Sequence, residues 1–226
     1  MKLIVFDCDG TLVDSQHMIV AAMENAFAGR KLQAPPREDI LSVVGLSLSL
    51  AVSRLVPDMD AASVDALAED YKNAFGELRR DPKQREPLYP GVRELLLELS
   101  AHDHVVLGIA TGKSRRGVAA ILMREDLSHL FQTIQTADTH PSKPDPSMLI
   151  TAMADAGCAP HETIMIGDTT FDIDMAHAAG VRAVGVAWGY HPVEALAASG
   201  AHVLVHNAET LISELRAFVT ASESSA

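Results

Sequence analysis

Two aspartates near the N-terminus are spaced so that both carboxylates could act on one ligand. Asp7 and Asp9 follow the short apolar run Lys2–Phe6 and precede Gly10 and Thr11. Side chains two positions apart on an extended chain point to the same side. Two like charges held close together repel each other, and this destabilises the fold unless a cation or a shared proton offsets the repulsion. The pattern therefore indicates a site for a cation or a proton, which an ordinary turn does not need.

Short apolar runs alternate with amphipathic segments of about ten residues from residue 90 onward. This alternation predicts a parallel sheet that is covered by helices on both faces. The predicted strands are 2–6, 104–110, 133–136, 163–166 and 183–186, with a further short one at 203–205. We therefore expect a doubly wound α/β core, built from residues 1–14 and 90–226.

The segment 15–89 has a different character, since its apolar residues recur only at helical spacing. Its predicted helices are 15–30, 37–43, 47–56 and 61–80. We expect this segment to form an all-helical cap domain that is inserted after the first strand.

Polar residues stand where several predicted strands end. Thr111 and Gly112 follow the second strand, Asp168 and Asp172 follow the fourth, and Lys143 lies in the loop between strand 133–136 and the helix after it. Ligands of doubly wound sheets bind beyond the carboxyl ends of the strands. We expect these groups to meet the aspartate pair in one crevice.

Carboxylates, a hydroxyl and an ammonium in one crevice suit phosphoryl transfer. Carboxylate oxygens are ligands for Mg²⁺, and a metal ion and a lysine neutralise the charge of a phosphoryl group during its transfer. One carboxylate can attack phosphorus to form an aspartyl-phosphate. A second carboxyl can protonate the leaving oxygen and later activate water.

The sequence Asp-Cys-Asp-Gly-Thr at 7–11, after an N-terminal strand, resembles the first signature of the haloacid dehalogenase-like hydrolase superfamily. Thr111, Lys143 and Asp168 resemble residues of its second, third and fourth signatures, and they occur in the same order. The resemblance covers essentially the whole chain. It places the helical segment as in the subfamily whose cap follows the first signature.

The resemblance implies a role for each matching residue. Asp7 resembles the nucleophile, and Asp9 resembles the general acid and base, with its backbone carbonyl as a metal ligand. Thr111 would place a hydroxyl on the phosphate, and Lys143 would restrain the nucleophile and the phosphate oxygens. The implied ligands of Mg²⁺ are Asp7, Asp9, Asp168 and Asp172. The implied catalytic residues are Asp7, Asp9, Thr111 and Lys143.

The expected substrate is a small phosphorylated metabolite. Trp-Gly-Tyr-His at 188–191 resembles phosphoglycolate phosphatases, so we expect a Mg²⁺-dependent phosphatase that acts through an aspartyl-phosphate, with phosphoglycolate as its first candidate substrate. The implied substrate-binding residues are Thr111, Gly112, Lys143 and Arg54.

Two alternative functions stay open. Sugar phosphomutases of this subfamily often carry Gly-x-Ser-Arg in the cap, whereas this chain has Leu48 at the position of the arginine, and Arg54 is the candidate to replace it. The other alternative is a non-catalytic binding or regulatory protein on the same fold, which a missing acid would favour, although none is missing.

Composition excludes several other classes of protein. The net charge of −12 argues against nucleic acid and anionic membranes as partners. No run of about 20 apolar residues is present to cross a membrane, and the two cysteines have no metal-ligand spacing. We expect a cytoplasmic protein with reduced thiols. The sequence does not indicate an oligomeric state.

Overall fold

A parallel sheet of six strands runs through the chain in the computed structural model, which describes residues 1–81 and 83–220. The last six residues of the predicted core segment lie outside the described residues. The strands are β1 (Lys2–Phe6), β2 (Val105–Thr111), β3 (Phe131–Thr136), β4 (Thr163–Gly167), β5 (Arg182–Val186) and β6 (Val203–Val205). Their order in the sheet is β3-β2-β1-β4-β5-β6, and every pairing is parallel.

The central strand β1 is buried on both faces, which explains its uninterrupted apolar sequence. Ile4 and Phe6 belong to the apolar cluster on one face of the sheet, whereas Leu3 and Val5 belong to the cluster on the other. This alternation follows from the two-residue period of a strand.

Helices cover both faces of the sheet, as the predicted doubly wound α/β fold requires. Those of the sheet-forming part are α5 (Val92–Ser100), α6 (Arg115–Arg124), α7 (Ser147–Ala156), α8 (Thr170–Ala178), α9 (Val193–Ala198) and α10 (Ala208–Thr220). Helices α5, α6 and α10 pack on the face of Phe6, and α7, α8 and α9 pack on the face of Val5. The prediction of fold class is confirmed.

Residues 16–80 form helices that have an apolar cluster of their own. These helices are α1 (Gln16–Gly29), α2 (Arg37–Ser42), α3 (Leu48–Leu55) and α4 (Ala61–Arg80). Buried side chains of α1 and α4, such as Phe27 and Leu67, form the centre of this cluster. No residue of 16–80 belongs to the sheet. The division of the chain into a core of 1–14 and 90–226 and a cap of 15–89 stays a prediction.

Truncation of Leu96, whose side chain is fully buried on α5, should destabilise the fold. We expect Leu96→Ala to lower the free energy of unfolding by about 2–5 kcal/mol, because the lost apolar burial is joined by the cost of a cavity. The neighbouring Leu97 is 47% exposed, so Leu97→Ala should change stability by less than about 0.5 kcal/mol. Urea unfolding of both variants tests this. Equal losses would show that the packing on α5 is described wrongly.

Candidate active site

Three buried carboxylates meet at the carboxyl edge of the sheet. Asp7 directly follows β1, Asp168 directly follows β4, and Asp172 lies in the first turn of α8. None of them is more than 1% exposed. One oxygen of each lies within 4.8 Å of the others, which is a spacing that can hold a metal ion. The structure therefore brings Asp7, Asp168 and Asp172 together at one edge of the sheet.

Asp168 is held by the loops on either side of it. Its carboxylate accepts hydrogen bonds from the Thr11 hydroxyl at 2.8 Å and from the backbone N–H of Tyr190 at 2.9 Å. A Cβ atom at Gly10 or at Gly189 would lie 2.1 Å from the Asp168 side chain, so both positions require glycine. Burial and the neighbouring carboxylates raise the pKa of Asp168 well above its ordinary value.

Asp172 is fixed by the start of its own helix. Its Oδ2 accepts from the backbone N–H of Thr169 at 3.0 Å and from the Thr169 hydroxyl at 2.7 Å. This arrangement caps the N-terminus of α8, where a negative charge is also favoured by the helix dipole. Its Oδ1 accepts from the Lys143 ammonium at 2.6 Å.

Lys143 is the positive charge of this cluster, and its side chain is fully buried. Its ammonium lies 2.9 Å from Oδ1 of Asp7, at ion-pair distance but without hydrogen-bond alignment. Neither carboxylate oxygen of Asp7 makes a well-aligned hydrogen bond with the described residues. Burial raises the pKa of Asp7 to about 6 from its ordinary 3.8, although Lys143 opposes the shift.

The charges of the cluster do not balance. Three buried carboxylates lie beside one buried ammonium. A buried charge without a partner destabilises the folded state. The free oxygens of Asp7 and the excess negative charge are what a divalent cation with oxygen ligands would satisfy. The side chains present therefore fit a metal ion.

The Asp9 carboxylate has partners outside the group of three carboxylates, although it lines the same cavity as Asp7. Its Oδ1 accepts from the Ser15 hydroxyl at 2.5 Å and from the Lys113 ammonium at 2.8 Å. Asp7 and Asp9 thus lie at the same end of the sheet, but Asp7 pairs with Lys143 whereas Asp9 pairs with Ser15 and Lys113. The metal contact that we predict for Asp9 is through its backbone carbonyl, and it stays a prediction.

Lys113 belongs to a charged cluster that our sequence analysis missed. Its ammonium donates to Glu86 at 2.7 Å, and the other oxygen of this fully buried Glu86 accepts from Arg79 of α4 at 2.8 Å. Burial alone would lower the pKa of Lys113, but the Asp9 and Glu86 carboxylates raise it above its ordinary value. The cluster therefore joins α4, the connection after it and the loop after β2 beside Asp9. The only signal in the sequence was a lysine directly after Thr111 and Gly112.

A cavity of about 970 Å³ opens above Asp7, Asp9, Thr111 and Gly112. Apolar side chains of the helices α1–α4 form much of its wall, among them Met23, Ile40, Ala51 and Phe75. The basic residues that line it are Lys72, Arg79, Arg80, Lys113 and Arg116. The acidic ones are Asp7, Asp9 and Asp138. The cavity is thus locally basic in a chain with 18 basic and 30 acidic residues, and this suits an anionic ligand.

Arg54 does not line this cavity. Its exposed side chain stacks on Phe171, with the guanidinium carbon 5.2 Å from the ring centroid. Leu48 does line the cavity, but it has no charge to offer a second phosphate. The structure gives no support to the prediction that Arg54 binds substrate.

Gly112 is the point where the α2–α3 loop lies on the loop after β2. A Cβ atom at this position would lie 2.5 Å from the carbonyl oxygen of Leu46 and 2.6 Å from that of Gly45. In the same region the backbone N–H of Ser47 donates to the Ser142 hydroxyl at 2.8 Å. The α2–α3 loop and the loop after β2 therefore lie against each other at the wall of the cavity.

Fold and site together define an α/β protein with a buried acidic cluster at the carboxyl edge of its parallel sheet. The chain matches the family model described as haloacid dehalogenase-like hydrolase over residues 4–186, and it belongs to that family. The structure of a predicted phosphoglycolate phosphatase from Haemophilus somnus is similar, with a TM-score of 0.81 and 26% identity, over 93% of this chain and 96% of the other.

Related proteins with a curated name are phosphatases, which narrows the reaction class from hydrolysis in general to phosphate hydrolysis. A probable phosphatase, IndB of Dickeya dadantii, is 33% identical over 98% of this chain and 96% of its own length. A phosphoglycolate phosphatase of Pseudomonas putida is 35% identical over 86% of this chain and 73% of its own length. The chain is a phosphatase of this family. No helix in the described ranges has the length and apolar character to span a membrane.

The raised pKa of Asp7 predicts how stability changes with pH in the absence of divalent metal. Because folding favours the protonated carboxyl, its contribution is full below pH 3.8 and is lost as pH rises through about 6. From pH 4 to pH 7.5 the wild type should therefore lose about 2 kcal/mol more than Asp7→Asn.

Urea unfolding with a chelator at both pH values measures this difference. Asp174→Asn, which changes an exposed residue of α8, should keep the pH dependence of the wild type. An Asp7→Asn protein with that same dependence would contradict the interpretation.

The close approach at Gly112 predicts a loss of activity from one added methyl group. We expect Gly112→Ala to push the α2–α3 loop away, with a cost of about 1–3 kcal/mol in stability and at least a tenfold lower kcat/KM. Gly29→Ala is the control, because a Cβ atom there would meet nothing within 4 Å. Phosphate release and thermal unfolding measure both effects. Unchanged kinetics in Gly112→Ala would mean that this contact does not shape the site.

Proposed function

We propose that the protein is a Mg²⁺-dependent phosphatase that hydrolyses a small phosphomonoester through an aspartyl-phosphate on Asp7. The observation that supports this most is the state of Asp7 at the base of the cavity. Its two oxygens make no well-aligned hydrogen bond among the described residues, and a buried ammonium lies 2.9 Å away. Such a carboxylate is placed to react with a ligand or to bind one.

Asp7 and Asp168 would hold the metal ion, with the Asp9 carbonyl as a further ligand. Asp172 would close the cluster from the α8 side, where Thr169 and Lys143 hold it. When bound, Mg²⁺ neutralises charge on the phosphoryl group. Lys143 adds a second positive charge. Because this ammonium is buried, water does not weaken its interaction with the phosphoryl group.

The reaction divides between the two aspartates. An oxygen of Asp7 attacks phosphorus, and the bond from phosphorus to the ester oxygen breaks while Asp9 gives that oxygen a proton. Water then attacks the phosphoaspartate, Asp9 takes up a proton from this water, and the bond to Asp7 breaks to release phosphate. Ser15 and Lys113 orient the Asp9 carboxylate for both steps.

Thr111 and Gly112 are proposed to bind the phosphoryl oxygens. Thr111 ends β2 at the cavity base, and its hydroxyl accepts from the backbone N–H of Lys113 at 3.2 Å. The hydroxyl also lies within reach of the Asp7 carboxylate, and it would donate to a phosphate oxygen when the substrate is bound.

Phosphoglycolate is the first substrate to test. Relatives of that name support it, and the Trp-Gly-Tyr-His segment lies at the site. The Trp188 indole donates to the carbonyl of Thr11 at 3.1 Å, and the Tyr190 hydroxyl lies 3.0 Å from the Ser15 hydroxyl. This segment therefore supports the loop that carries both aspartates.

Phosphate release from a panel of small phosphomonoesters, with and without Mg²⁺, tests the proposal. The panel includes phosphoglycolate, a hexose phosphate and a pentose phosphate. We expect Mg²⁺-dependent turnover in the wild type and a loss of at least about a thousandfold in Asp7→Asn, because the variant has no nucleophile. Asp174→Asn should keep wild-type activity.

Two results would contradict the proposal. Folded protein that binds Mg²⁺ and turns over no ester would exclude a phosphatase of this substrate class. Turnover that survives Asp7→Asn would leave the hydrolysis intact but exclude the aspartyl-phosphate. Acid quench of the wild type during turnover, followed by mass spectrometry of the peptide around Asp7, separates these cases.

A further inference from the structure

A chain of polar side chains runs along β3 to the edge of the cavity. Thr133 and Gln135 are buried on this edge strand and face Asp155 of α7. The Asp155 carboxylate accepts from the Thr133 hydroxyl at 2.7 Å and from the Gln135 amide at 2.8 Å. The ring of His140, which lines the cavity, lies 2.9 Å from the remaining oxygen of Gln135.

The hydrogen bonds from Asp155 through Gln135 to His140 have one arrangement of donors and acceptors when the His140 ring is neutral. Since the Gln135 amide nitrogen donates to Asp155, the Gln135 oxygen must face His140, and His140 Nε2 carries the proton. His140 Nδ1 is then an acceptor, and the Ser147 hydroxyl lies 2.8 Å from it. Both ring nitrogens are therefore used to hold the ring.

His140 stands in the loop 137–146, which also carries Lys143. One end of this loop is attached to the sheet, where the Ala137 N–H donates to the Thr111 carbonyl at 3.1 Å. Ser142 attaches it to the α2–α3 loop through Ser47. The Thr139 N–H also donates to the Thr136 carbonyl at the end of β3, at 3.2 Å, and Asp145 accepts from the Ser147 N–H at 2.9 Å. Between the two attachments, the side chain of His140 adds a side-chain link from the loop to Gln135 of β3 and to Ser147 of α7.

We propose that His140 is a positioning residue that sets the place of Lys143. The inference rests on the proposed function, in which the Lys143 ammonium acts beside Asp7. The ring clamps the loop between Gln135 and Ser147, three residues before Lys143. The ammonium then reaches Asp7 and Asp172 at 2.9 and 2.6 Å. Misplacement of a reacting group by about 1 Å can cost about a hundredfold in rate.

Packing alone does not require these residue types. Buried polar groups contribute little net stability, and an apolar strand face would cover α7 as well. A series of hydrogen bonds instead fixes the orientation of each side chain that takes part in it, because the donors must face the acceptors. This is the property that a loop with a catalytic ammonium needs.

Three variants test the proposal with phosphoglycolate or the best ester of the panel. His140→Leu should lower kcat about ten- to hundredfold and leave KM within about threefold. Gln135→Met lies outside the cavity lining and should reproduce this kcat loss. His140→Gln keeps an N–H that reaches towards Gln135, and it should restore kcat to within about fivefold of the wild type. The double variant His140→Leu/Gln135→Met should be no worse than either single change.

Other results would overturn the proposal. A raised KM with wild-type kcat in His140→Leu would make His140 a substrate contact, and wild-type kinetics in Gln135→Met would show that the chain to β3 has no role. If His140→Leu does not fold, Ser147→Ala removes one bond of the ring and should still lower kcat about threefold, and no loss would count against the proposal. An inactive wild type would refute the proposed function itself.

Discussion

The site depends on one electrostatic imbalance, because three buried carboxylates lie together and the single ammonium of Lys143 pairs with only two of them, Asp7 and Asp172. Two of the acids are held by hydrogen bonds, Asp168 by Thr11 and Tyr190, and Asp172 by the start of α8. Asp7 has an ion pair with Lys143 but makes no well-aligned hydrogen bond in the described part of the chain. The fold thus stabilises two acids as fixed charges and leaves the third to find its partners in a ligand.

The fold and the ends of its strands could be predicted from the sequence, because both depend on local rules. Strand and helix periods indicated the parallel sheet, and parallel strands bring their carboxyl ends to one edge. Asp7, Thr111 and Asp168 were therefore predictable as neighbours. Helix α9 was not predicted, since six residues without a cap or a long apolar stripe give little signal.

The pairing of charges could not be predicted in the same way. Glu86 stands in a polar connection and resembles a solvated residue, but it is buried between Lys113 and Arg79, which lie 27 and 7 positions away. Arg54 shows the reverse case, since it stays a predicted substrate contact but its guanidinium lies over the Phe171 ring. Such contacts depend on how helices α1–α4 pack, and their spacing in the sequence does not encode that.

The contact between Gly112 and the carbonyls of Gly45 and Leu46 is made by main-chain atoms. This contact between two loops does not involve the side chains of helices α1–α4 that form the apolar wall. The apolar wall of the cavity can therefore diverge between species, or be randomised in a laboratory library, while the joint above the reactive aspartates keeps its shape. Residues that form the apolar wall can therefore change the choice of substrate without changing this contact beside the reactive aspartates.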